Sequence, residues 1–106
     1  MPRYELRFQI PERRLGEPEC YRAFTRLVER CMEIKGRSIS SAKVQEVHVT
    51  GGSLFGSVMI EASSYESALA LVCQETPVIQ LEWHLEEEVS PEMTAKFLQE
   101  AIKQAK

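Results

Sequence analysis

The 106-residue chain has no aspartate and no asparagine; all 16 of its acids are glutamate. That absence excludes Ser-His-Asp triads, EF-hand calcium loops and Asn-X-Ser/Thr glycosylation sites, since each needs a missing side chain. Glutamate can still serve as the acid of a triad or as a metal ligand. Cysteine is scarce: there are three, and no two stand in a Cys-X-X-Cys pair. Cys20 and Cys31 fall on one expected helix, roughly 16 Å apart along its axis, too far for a disulfide. Buried free thiols are the expectation. No apolar run approaches the ~20 residues of a membrane span. The opening segment MPRYELRFQIPERR alternates polar and apolar residues and lacks the continuous apolar stretch of a secretory leader. A cytoplasmic protein without membrane contact is expected.

What is present is globular. A hydrophobic share of 43% and a charged share of 27% suit a packed domain rather than a disordered chain. The length suits one domain, 1–106, burying roughly 65% of its unfolded surface. The net charge of −3 is unevenly spread. Residues 44–95 hold glutamates and no lysine or arginine, whereas the first 43 residues are net basic. The fold either brings the two halves together or leaves a molecule with acidic and basic sides.

The order of elements decides the fold class. Tyr4, Leu6, Phe8 and Ile10 alternate with Glu5, Arg7 and Gln9, the period of a half-buried strand. Pro18 opens a helix whose stripe is Cys20, Phe24, Leu27, Val28, Cys31 and Ile34, closed near Gly36. GRSISSAK reads as a loop. KVQEVHVT and GSVMIEA read as two strands joined by a glycine-containing hairpin link. Ser63 and Glu66 fit a capping box for a second helix with Tyr65, Ala68, Leu69 and Val72 on one side. Residues 78–89 read as the last strand, with Ile79, Leu81, Trp83 and Leu85 facing inward. Ser90, Pro91 and Glu92 start a third helix with Met93, Phe97, Ala101 and Ile102 on one stripe. The order β-α-β-β-α-β-α predicts an α+β fold: a ferredoxin-like βαββαβ sandwich with an extra C-terminal helix and an antiparallel sheet in the order 4-1-3-2.

The same alternation predicts the other sheet face. It gathers Glu5, Arg7, Gln9, Glu46, His48, Ser57, Met59, Glu61, Gln80, Glu82, His84 and Glu86, including both histidines of the chain. His84 and His48 are the candidate catalytic bases, because imidazole titrates near neutrality. Arg7, Gln9, Glu82, Glu61 and Met59 are candidate ligand-binding residues, with Arg7 suited to an anion. The histidines lie three strand spacings apart, roughly 14 Å, so one subunit cannot close both on a metal ion, and none is expected. No cofactor motif is present. The segment from Gly51 to Gly56 leads into a strand, not a helix N-terminus, so a hairpin turn is expected there rather than a phosphate cradle. Leu54 and Phe55 at its tip are candidate partner contacts. RNA-recognition modules share this topology but stack bases on aromatics where this chain has Arg7, Gln9, Met59 and Glu61. Nucleic-acid binding is not expected.

The order of elements, the size and the segment SSYESALALVCQETPVIQLEWHLEEEV resemble the dimeric α+β barrel group of small proteins at the level of pattern. That resemblance implies a homodimer in which two sheets face each other. The group includes cofactor-free monooxygenases, isomerases and proteins of the YCII type; the last typically carry a His-Asp pair, which this chain lacks. The leading expectation is a homodimer that binds a small molecule or a protein partner. The alternative is a cofactor-independent enzyme of the barrel type using an open-face histidine.

Overall fold

The computed structural model describes residues 1–50 and 54–105. Five strands form one sheet: β1 (Arg3–Gln9), β2 (Ser38–Ile39), β3 (Ala42–Val49), β4 (Phe55–Ala62) and β5 (Glu82–Glu87). Three helices accompany it: α1 (Pro18–Ile34), α2 (Tyr65–Glu75) and α3 (Pro91–Gln104). The sheet order is β2-β3-β4-β1-β5, and every recorded pairing is antiparallel. This differs from the expected four-strand sheet in the order 4-1-3-2. The difference arises in the segment read as a loop, where β2 folds back on the start of β3.

The turn that makes this hairpin is Ser40-Ser41, between the paired residues Ile39 and Ala42. Both serines have positive φ, 50° and 65°. Two-residue hairpin turns of this handedness ordinarily use Asn-Gly or Asp-Gly. With neither Asn nor Asp in the chain, serine takes the left-handed positions, and the usual sequence signal is missing.

Other boundaries also move. The last strand is shorter than expected, because Val78–Gln80 forms a 3₁₀ turn before β5. Ile79, expected inside, is 88% exposed, and Val78 is buried in its place. The cap of α2 is Ser64, not Ser63; its hydroxyl accepts from the Ser67 backbone N–H at 3.2 Å. Tyr65 is exposed rather than on the buried side, although its ring lies edge-on to Tyr4 at 6.0 Å.

The core lies between one sheet face and the helices α1 and α2. From α1 come Cys20, Ala23, Phe24, Leu27, Cys31 and Ile34; from α2 come Ala68, Leu71 and Val72. The sheet contributes Tyr4, Leu6, Phe8, Val44, Val58, Ile60 and Leu85, all buried. In β3 the spacing Val44–Val47 breaks strand period. A register shift between Val44 and Glu46 absorbs the extra residue, so Val44 still pairs with Ile60 and Val47 with Val58.

Gly56 is a packing residue. It pairs with Phe8, and a Cβ built on it would stand 2.3 Å from Cζ of the Phe8 ring. That ring also meets Phe24 of α1, with centroids 5.1 Å apart. Gly56→Ala is therefore expected to lower stability by about 3 kcal/mol, through a clash in a filled core, read as a lower urea midpoint. Ser41→Gly is expected to act in the opposite direction. It relieves a left-handed serine and should raise stability by about 0.5–1 kcal/mol, a thermal midpoint gain of about 4 °C.

Candidate functional site

On the face away from α1 and α2, pairing arranges the polar side chains in rows across the strands. One row runs His48, Ser57, Arg7, His84. The next runs Glu46, Met59, Glu5, Glu86. The row with Arg7 and the two histidines and the row with the glutamates lie roughly 7 Å apart, two residues along each strand. Their order follows from strand direction. β1 and β3 run the same way and read Glu-X-Arg and Glu-X-His; β5 runs opposite and reads His-X-Glu.

Each basic group in the row is held by the acid two residues away on its own strand. Arg7 Nε donates to Glu5 Oε1 at 2.6 Å. His48 Nε2 lies 3.2 Å from Glu46 Oε2, and His84 Nε2 lies 2.5 Å from Glu86 Oε1. Further along, Gln9 Nε2 donates to Glu82 Oε2 at 2.9 Å, and Gln45 Nε2 to Glu61 Oε2 at 3.3 Å. The bond to Glu5, with that carboxylate's charge, raises the Arg7 pKa above its usual value, so Arg7 is a permanent cation. Across strands Arg7 stands beside His84, and the like charges of Glu5 and Glu86 stand side by side. The pairs along each strand offset that repulsion.

The structure brings five of the sequence-derived site residues together. Arg7, Gln9, Phe55, Glu82 and His84 line an open recess of about 350 Å³ at one end of the sheet, with Trp83. His48, Glu61 and Met59 are not part of it. Met59 lies mid-sheet on β4, buried among Glu5, Glu46 and their neighbours. The two candidate bases occupy opposite ends of one row, and their side chains are 66% and 65% exposed. Neither is drawn into a pocket that excludes water. Gln80 falls in the 3₁₀ turn, off the sheet face. Phe55 and Leu54 are part-exposed at the start of β4, and Phe55 pairs with Gln9. Gly51, Gly52 and Ser53 of the glycine segment lie outside the described residues. Among the described residues no group of three or more His, Cys or acidic side chains is placed to hold a metal ion.

On the opposite side of the domain, a groove between α1 and α2 is lined by Arg26, Glu29, Arg30, Glu33 and Glu75. Arg30 is held there by Glu75 at 2.6 Å and Glu33 at 3.1 Å, bridging the two helices.

The third surface is α3. Ser90 caps it, accepting from the Met93 N–H at 3.1 Å, and Pro91 takes the first helical position. The expected stripe is there, but it covers nothing: no residue of α3 is buried. Met93, Phe97, Leu98 and Ile102 are 62%, 75%, 55% and 61% exposed, and Val89 before the helix is exposed too. The stripe was legible in the sequence. That it faces solvent was not, because the same periodicity describes a helix on its own core and a helix awaiting a partner. Among the described residues no helix is long and apolar enough to cross a membrane. No family model matches the sequence, and no curated protein matches it.

The cysteines divide unevenly. Cys20 and Cys31 are buried on α1, but Cys73 is exposed on α2, against the expectation of buried thiols. Cys73 falls one residue beyond the buried Val72, on the solvent side of the helix. Burial pushes the Cys31 thiol up to about 12, from an ordinary 9.0. The Tyr4 phenol is raised as well, by burial and by Glu87 and Glu66. Both groups hold their protons more tightly folded than unfolded. The stability from Cys31 is thus complete below about pH 9 and is lost as pH rises toward 12. Equilibrium unfolding between pH 8 and 11 is expected to show that decline, with Cys31 supplying at most ~1.4 kcal/mol per pH unit. Cys31→Ala should be less stable at pH 7 but decline less steeply.

Proposed function

We propose that this chain is a non-catalytic interaction module of ferredoxin-like type, and that its working surface is the apolar side of α3. The four long strands in the order β3-β4-β1-β5, with α1 and α2 on one face, support the ferredoxin-like reading. The observation that carries the functional reading is the state of α3. It is well capped, half its circumference is apolar, and no residue on it is buried. A 14-residue helix is marginal in water on its own, and a surface that covers its apolar side would stabilise it. Apolar patches of this kind on a small domain mark contact sites.

The striped sheet face supports the same reading from the other side. Arg7, His48 and His84 are each already bonded to a glutamate on their own strand, so they need no further partner. An enzyme of the barrel type would need His84 or His48 as base in a water-excluding site, and both stand on the surface beside their own glutamates. A small anionic ligand at Arg7 would have to displace Glu5.

The test is Phe97→Glu/Ile102→Glu in the full chain, at about 1 µM, where association is minimal. Both positions are exposed, so stability should stay within ~0.5 kcal/mol of the parent. A loss of about 3 kcal/mol would mean that α3 packs on its own domain in solution, and the reading fails.

A further inference from the structure

We draw no further inference here: the strongest candidate, the exposed apolar stripe of Met93, Phe97, Leu98 and Ile102 on α3, carries nothing beyond the contact role already given to it, because nothing in the structure shows what covers it.

Discussion

The ring of Phe8 lies on the bare backbone of Gly56 and against Phe24, and the arrangement of the sheet follows from that contact. Phe8 is buried near the end of β1, a strand paired on both sides, by β4 and β5. Its ring needs a neighbour on β4 without a side chain, and the pairing supplies Gly56 directly opposite. With that register set, Leu6 falls opposite Val58 and Tyr4 opposite Ile60, which completes the apolar face under α1 and α2. A slip of one residue would set Ser57 or Phe55 opposite Phe8 and turn the core side of β4 outward.

The same register writes the outer face. Because Phe8 meets Gly56, Arg7 meets Ser57 and Glu5 meets Met59. β5 and β3 join with their own Glu/His pairs in the order their directions require, so the histidines fall in the row of Arg7 and their glutamates in the next. The uncharged Ser57 and Met59 on β4 separate the β3 charges from those of β1. Core and charge pattern are thus two consequences of one alignment. The register shift at Gln45 serves both: it keeps Val44 and Val47 inward while sending Glu46 and His48 outward.

α3 stands apart from this economy. It adds no residue to the core, and the sheet and two helices close without it. Its local chemistry is that of a strong helix: a serine cap, proline at the first position, no glycine, and a lysine in the last turn. Local propensity favours the helix, and among the described residues no side chain of its apolar side is buried.

Much of the fold was legible from spacing alone. Period-two alternation in Tyr4–Ile10 and Trp83–Leu85, and the helical stripe from Cys20 to Ile34, assign those segments and their inward faces. The Ser90-Pro91 start of α3 was equally plain. Alternation also assigned Arg7, Gln9, Glu82 and His84 to one face, and the structure sets them around one recess. The Ser40-Ser41 hairpin was hidden because the chain uses serine where asparagine and glycine are the usual signs. Ile79 was misassigned because a short apolar run does not distinguish a strand from a 3₁₀ turn beside it. By itself, then, the sequence determined which side chains share an element and a face, since periodicity is a property of neighbours along the chain. Which strands lie side by side, which charges form a row, and whether the stripe on α3 is covered were decided only by the tertiary structure. Those are properties of residues far apart in sequence, and local spacing carries no record of them.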